Sequence, residues 1–333
     1  MSIEQLLQET LERLLVPANV RTPLKRCLVR DIQVQDGNVH LKLAADVLPP
    51  DVQNLVQTRL PEQAERIEGV TKASVEFIEV PVTELNEIGS VIAIMSGKGG
   101  VGKSLVTAMT AVALRKNGKE VGVLDADITG PSIPKMFGIT GRPEGTGKGM
   151  LPVPSKTGIE LMSINLLLPE EDDAVIWRGP LIGRIIKQFW EEVIWGKLDY
   201  LIVDLPPGTA DAPLTVLQSL PVSGIIIVFT PQDLTNMVVR KAVKMATKMD
   251  KTILGVVENM SYLYIPEIDK RLELFGKSRG EEMSAMTGAP LLAQMPIDPD
   301  LARLCDEGNI EQYQGKVIDA FSEKLNQSLT RKS

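Results

Sequence analysis

Leu6, Leu7, Leu11 and Leu14 recur at helical spacing near the start of the chain, which predicts an amphipathic helix. Ile32 and Val34 then alternate with polar residues, Asp36-Gly37 marks a hairpin turn, and Val39, Leu41 and Leu43 alternate again. Pro49-Pro50-Asp51 opens a helix that runs to about Ile67, and Val70 to Val80 supplies another strand. Residues 1–80 thus predict a small α/β domain, and 81–88, from Pro81-Val82-Thr83 to Glu87, read as a linker. From Gly89 the pattern changes to short apolar runs alternating with helical stretches. That is the signature of a mostly parallel sheet flanked by helices, here a single domain over 89–333. Strands are expected at 91–95, 120–125, 199–203, 223–229, 253–258 and 290–294. The Gly- and Pro-rich stretch Gly141 to Lys156 reads as a mobile loop. The last helix places Val317, Phe321, Leu325 and Leu329 on one face and is expected to pack on its own domain.

The first strand of this second region, Val91-Ile92-Ala93-Ile94-Met95, runs into Ser96-Gly97-Lys98-Gly99-Gly100-Val101-Gly102-Lys103-Ser104, and a helix follows from Leu105 to Arg115. The string fits G-x-x-x-x-G-K-[S/T], the P-loop, in the strand-loop-helix setting that a P-loop needs. Its glycines allow a tight turn that brings several backbone N–H groups onto one phosphate chain, and the helix N-terminus adds its own. Lys103 is placed to reach the β- and γ-phosphates, and the Ser104 hydroxyl to bind Mg²⁺. A nucleoside triphosphate, ATP with Mg²⁺, is therefore the expected ligand of Gly97–Ser104.

Two further strand ends carry acids. Tyr200-Leu201-Ile202-Val203-Asp204 is an apolar strand closing on a carboxylate that can hold Mg²⁺, and Leu205-Pro206-Pro207-Gly208-Thr209 follows as a stiff loop with a free N–H at Gly208. Val121 to Asp127 places Asp125 and Asp127 at another strand end, where paired acids can bind metal, act as a general base or cap a helix.

Composition narrows the partners. With 44% hydrophobic and 24% charged residues, 333 residues make an ordinary globular chain with room for two domains. A net charge of −7 and 4% aromatic residues disfavour nucleic acid as a partner. No apolar run reaches the length of a membrane span, so no membrane partner is expected, and the acidic, amphipathic N-terminus is unlike a signal peptide. Cys27 and Cys305 are the only cysteines, too few for a disulfide framework, and a cytoplasmic location is expected.

Lys98 makes the loop more specific. In K-G-G-x-G-K-[S/T] it resembles the signature lysine of the deviant Walker A ATPases, which include the nitrogenase iron protein, MinD, ParA and the Mrp/ApbC proteins. The resemblance implies a homodimer in which Lys98 crosses to the other subunit's phosphates and stabilises charge on the transferred phosphoryl. It also implies that Asp127 positions the attacking water, that Asp125 supports Mg²⁺, and that Gly208 lies in the switch sensing the γ-phosphate.

Longer strings select one branch. Asp127-Ile128-Thr129-Gly130-Pro131-Ser132-Ile133-Pro134, Trp177-Arg178-Gly179-Pro180, Asp204-Leu205-Pro206-Pro207-Gly208-Thr209 and Glu258-Asn259-Met260-Ser261 together resemble the Mrp/ApbC iron–sulfur cluster carrier ATPases over about 88–310. By that resemblance Asn259 reads the adenine edge and Pro296 lies beside the base. The N-terminal unit is similar to a small domain that also occurs in metal–sulfur assembly proteins.

One feature departs from this branch. Its carriers place C-x-x-C shortly after Asn-Met-Ser, and two subunits share a [4Fe–4S] cluster through those thiolates. Here Ile265 and Ile268 stand at those positions, and an alkyl group does not ligate iron, so a four-thiolate bridge there is ruled out. The small domain carries Leu48-Pro49-Pro50 in place of its relatives' Cys-Pro, and His40 is the chain's single histidine. Lys25, Arg26 and Arg30 flank Cys27 and would lower its pKa if it were exposed; the alternative is a half-buried small hydrophobe. Three functions follow as expectations. The first is an ATPase of the iron–sulfur carrier family, slow without its client. The second is a nucleotide-driven dimerisation switch that controls a partner without a cluster. The third is a MinD- or ParA-like positioning ATPase.

Overall fold

The computed structural model describes residues 1–127, 130, 132–167, 179–232 and 235–331. They form two compact units. The first comprises Met1–Ile88, Glu144–Leu151 and Glu191–Lys197.

In this unit Ser2 and Gln5 form a reciprocal capping box that starts α1 (Ile3–Leu15). After α2 (Thr22–Leu28), β1 (Val29–Gln35) turns through Asp36-Gly37 into antiparallel β2 (Asn38–Ala44). α3 (Pro50–Ala64) then returns the chain so that β3 (Lys72–Ile78) pairs parallel to β2. Leu7, Leu11 and Leu15 of α1 and Val56 and Leu60 of α3 bury against Val39, Leu41 and Leu43, which all point to one face of the sheet because side chains alternate along a strand.

The stretch read as a linker is structured. It holds α4 (Val82–Leu85), and Asn86 accepts from the N–H groups of Trp195 and Gly196 and donates to Val193 O at 2.9 Å. These long-range partners fix it within the first unit, and no local pattern could announce them. Gly141 to Lys156 likewise differs from a plain loop. β6 (Glu144–Gly145) pairs with β7 (Met150–Leu151), and β8 (Val153–Pro154) pairs with β9 (Glu160–Ser163). Strands of two residues carry no detectable period, which hides them from sequence reasoning.

The second unit comprises Gly89–Pro143, Pro152–Trp190 and Leu198–Ser333. Its eight-stranded sheet has the order β15-β12-β11-β4-β10-β5-β9-β8. The remaining members are β4 (Glu87–Ser96), β5 (Val121–Asp125), β10 (Lys197–Asp204), β11 (Gly224–Phe229), β12 (Ile253–Glu258) and β15 (Leu291–Gln294). β5 runs parallel to β9 and β10, β11 to β4 and β12, and β12 to β15, while the short edge strand β8 pairs antiparallel with β9. The six strands expected from the sequence are all present, and the α/β reading holds.

The helices, in chain order, are α5 (Lys103–Lys116), α6 (Ile133–Met136), α7 (Gly179–Glu192), α8 (Asp211–Ser219), α9 (Thr235–Lys248), α10 (Gly280–Thr287), α11 (Pro299–Asp306) and α12 (Lys316–Thr330). α5 is buried almost all round, its Val106, Met109, Val112 and Leu114 packing with Ile92 and Ile94 of β4 and Val123 of β5. α12 sets Ile318, Phe321 and Leu325 into the same core, with Val317 and Leu329 packed against it. Between β12 and α10 a hairpin of β13 (Leu263–Ile265) and β14 (Lys270–Leu272) projects.

Candidate nucleotide site

β4, β10 and β5 are neighbours, and each ends in a buried polar residue: Ser96, Asp204 and Asp125. The register sets Asp204 directly beside Asp125. In parallel α/β sheets ligands collect at these carboxyl ends.

The loop from Gly97 to Gly102 joins β4 to α5. Gly102 takes φ 81°, a left-handed value that favours glycine, and α5 starts without a side-chain cap. Its first N–H groups thus face the loop, as phosphate binding requires. A Cβ at Gly102 would lie 2.1 Å from Asn259 Nδ2, and one at Gly97 2.0 Å from Val238 Cγ1. Asn259, one residue beyond β12, donates from Nδ2 to Val101 O at 2.9 Å and is thereby docked against the loop.

Lys103 is buried at the start of α5, its Nζ 2.7 Å from Asp204 Oδ2 and 3.3 Å from Asp127 Oδ2. Ser104 Oγ donates to Asp204 Oδ2 at 2.6 Å, and Thr107 Oγ1 to Asp204 Oδ1 at 2.6 Å. Asp127 N–H donates to Asp125 Oδ1 at 3.2 Å, and Ser163 Oγ to Asp125 Oδ2 at 3.3 Å. Complete burial, followed by the charge of Asp204, holds the Asp125 carboxyl well above the usual carboxylate range, with Lys103 pulling the other way. Three carboxylates, those of Asp125, Asp127 and Asp204, thus crowd around the Lys103 ammonium. This surplus of oxygen ligands beside a hydroxyl fits a divalent cation, which usually takes one or two carboxylates and keeps several waters.

Other expected residues lie at the margins of this cluster. Gly208 N–H donates to Ser96 O at 3.0 Å, so the amide expected to be free is engaged with the end of β4. Lys98 is exposed and stands apart from the acids; its Nζ donates to Gln232 Oε1 at 2.7 Å, on the turn after β11. Pro296 follows β15, and Ile297 N–H donates to Tyr262 O at 2.7 Å while Ser261 N–H donates to Met295 O at 2.9 Å. These bonds tie the Pro296 segment to the Asn259 turn. Ile128, Thr129, Pro131, Trp177 and Arg178 lie outside the described residues.

The structure adds residues that sequence reasoning passed over. Thr107 stands one helical turn after Ser104, a spacing that could have marked it. Glu258 is fully buried and accepts from Ser261 Oγ at 2.7 Å, Ser278 Oγ at 2.6 Å and Arg279 N–H at 2.7 Å, clamping its own turn to the Ser278–Arg279 segment beside Asn259. Its place in the Glu-Asn-Met-Ser string was the available signal. Ser163 and Gln232 gave none.

Cys27 is buried in α2 and desolvation pushes its thiol up to about 12, which outweighs the nearby Arg30. Cys305, half-buried in α11, is pushed up to about 11 by the same cause. Ile265 ends β13, and Ile268, 63% exposed, closes the turn that follows; neither carries a ligand atom, so these positions do not fit a thiolate-held cluster. His40 sits in β2, its Nε2 2.9 Å from Glu76 Oε2. Among the described residues no helix is long and apolar enough to cross a membrane.

An uncapped helix start, a glycine loop, a buried lysine and strand-end acids define a P-loop nucleotide-binding fold. Comparison with known proteins agrees: the model of the ParA family, described as NUBPL iron-transfer P-loop NTPase, matches residues 87–330. An iron–sulfur cluster carrier protein of Clostridium perfringens is 45% identical over 239 residues, covering 69% of this chain and 84% of the relative. One of Aquifex aeolicus is 34% identical over 349 residues, covering 96% of this chain and 94% of the relative. Among solved structures, a nucleotide-binding protein of Archaeoglobus fulgidus in complex with ADP is similar with a TM-score of 0.64 and 46% identity, covering 70% of this chain and 92% of that one. The chain belongs to the NUBPL iron-transfer P-loop NTPase family.

Proposed function

We propose that this protein is an ATP-hydrolysing dimerisation switch of the iron–sulfur carrier family. The observation that carries the reading is the buried contact of Lys103 with Asp204 and Asp127, beside Ser104 and the uncapped start of α5. ATP binding would draw Lys103 off these acids onto the β- and γ-phosphates, with the N–H groups from Gly97 to Gly102 around the phosphate chain. Ser104, Asp204 and Asp125 would hold Mg²⁺, which supplies neutralisation of the phosphate charge. Asp127, freed of Lys103, then orients the attacking water toward the γ-phosphorus. Gly208 exchanges Ser96 O for the γ-phosphate and so couples its presence to the loop after β10. Asn259 and Pro296 border the adenine.

Lys98 is exposed, and among the described residues its ammonium is held by Gln232, from which it would swing to phosphates of a second subunit, as the family resemblance implies. Light scattering of the full chain with ATP, ADP or neither tests the switch. We expect an ATP-dependent dimer that Lys98→Ala weakens while monomer binding of nucleotide persists. A monomer in all three conditions would overturn it.

The names of the relatives favour a second reading, in which the dimer carries an iron–sulfur cluster to a client protein. Ile265 and Ile268 remove the thiolates at the family's position, so such a cargo would need other ligands. Anaerobic reconstitution with iron and sulfide decides between the readings, since a colourless protein that still dimerises with ATP leaves only the switch. A positioning role has less support: α12 buries its apolar face in its own core, and the net charge is −7. The first unit, similar in pattern to metal–sulfur assembly domains, is proposed to serve partner recognition.

A further inference from the structure

Beside the outer edge of the sheet, where β15 meets α12, lies a groove of about 270 Å³ whose walls include Tyr262, Arg271, Leu292, Lys316, Phe321 and Lys324. Its accessible apolar lining is half-buried Val317 and exposed Ala320, while Leu292 and Phe321 are buried. Three cations stand around it and no carboxylate lines it. Among the described residues none of the three has an ion-pair partner. Arg271 instead stacks its guanidinium 4.5 Å from the centre of the Tyr262 ring, which leaves its N–H edge open for a carboxylate. Lys324 Nζ donates only to Leu291 O, at 3.2 Å. Lys316 opens the 15-residue helix α12, whose start has no side-chain cap.

This concentration of positive charge is unexpected in a chain with 43 acidic and 36 basic residues. Its geometry selects the ligand. Lys316 and Lys324 are eight residues apart on one helix, about 12 Å at 1.5 Å per residue. About four residues of extended chain, at ~3.3 Å each, span that distance and can set a carboxylate near each ammonium. One wall is β15, the terminal strand of the sheet, which offers main-chain groups to such a segment.

We propose that this groove docks an extended acidic segment of a partner protein, with carboxylates on Arg271, Lys316 and Lys324 and an apolar side chain against Val317 and Ala320. The proposal does not depend on the nucleotide cycle. To test it, a phage-displayed library of random dodecapeptides is panned on the full-length protein and counter-selected on the Lys316→Glu/Lys324→Glu double variant. Enriched sequences are then synthesised with a fluorescein label and titrated by anisotropy. The expected result is sequences with two or more acids around an apolar residue. Their affinity should fall at least about tenfold in the double variant and in Arg271→Ala, and weaken with salt. Fluorescent ADP should bind wild type and variants alike, which separates this outcome from misfolding and from failure of the nucleotide reading. The proposal is overturned if nothing is enriched over the counter-selection, if the consensus is not acidic, or if charge reversal leaves affinity unchanged. It is also overturned if citrate alone displaces the peptide stoichiometrically, which would make the groove a small-anion site.

Discussion

Replacing Asp125 by asparagine should stabilise the nucleotide-free protein, and the gain should grow with pH. The side chain is fully buried beside Asp204 and Asp127, with the Lys103 ammonium in contact with that acid pair. Burial first and Asp204 second raise its carboxyl from 3.8 to about 8. A raised acid pKa means that the folded state keeps a proton which the unfolded chain has already lost. The contribution of this group is therefore complete below about pH 4 and declines as pH rises from there to about 8. Each pKa unit corresponds to about 1.4 kcal/mol, so the rise sets a ceiling of about 6 kcal/mol. Screening and relaxation inside the folded protein lower the expected gain to about 2 kcal/mol at pH 8.

Asparagine keeps the shape of Asp125. Its Oδ1 still accepts from Asp127 N–H, and Ser163 Oγ can turn to accept from the new amide. The assay is urea unfolding of wild type and Asp125→Asn in EDTA, from pH 5 to pH 9. The difference between the two stabilities should be smallest at pH 5 and widen toward pH 8. In the same variant, Mg²⁺ should lose much of its ability to tighten ADP binding. Parallel stability curves across the pH range would refute the account of charge crowding at this site.

Gly102→Ala combines a left-handed backbone value with a Cβ 2.1 Å from Asn259 Nδ2, so a loss of about 2 kcal/mol in unfolding free energy is expected. Fluorescent ADP binding should weaken with it, and unchanged values for both would show that the loop accommodates the methyl group. Glu258→Ala leaves Ser261, Ser278 and Arg279 N–H without their acceptor, and should cost about 3 kcal/mol while lowering nucleotide affinity. Glu258→Gln, which keeps an acceptor oxygen, should lose less; equal losses would show that charge matters more than hydrogen bonding there. Cys27, 2% exposed with its thiol held high, should resist iodoacetamide at pH 8 until the protein unfolds, whereas rapid labelling in the native state would refute its burial.

Much of the site was legible because its chemistry is local. The P-loop, Asp125, Asp127 and Asp204 sit at strand ends that the apolar runs announce, and a parallel sheet brings such ends together. Thr107 was within reach through helical spacing from Ser104. Gln232 and Ser163 were not, because their partners Lys98 and Asp125 are 134 and 38 residues away in the chain. Asn86 escaped notice for the same reason, its partners being more than a hundred residues distant.

By itself, then, the sequence determined the strand-loop-helix P-loop, the acids at two strand ends, the α/β class and the absence of thiolates at Ile265 and Ile268. Each of these depends on residue identity or on short-range periodicity, which a linear reading preserves. The tertiary structure alone decided that Lys103 rests on Asp204 and Asp127, that Lys98 lies on Gln232, that Asn259 is docked on Val101, and that Arg271, Lys316 and Lys324 surround one groove. These depend on which distant segments the fold packs side by side, and the physical reason is burial. Desolvation and through-space charge act over a few ångströms, whatever the distance along the chain.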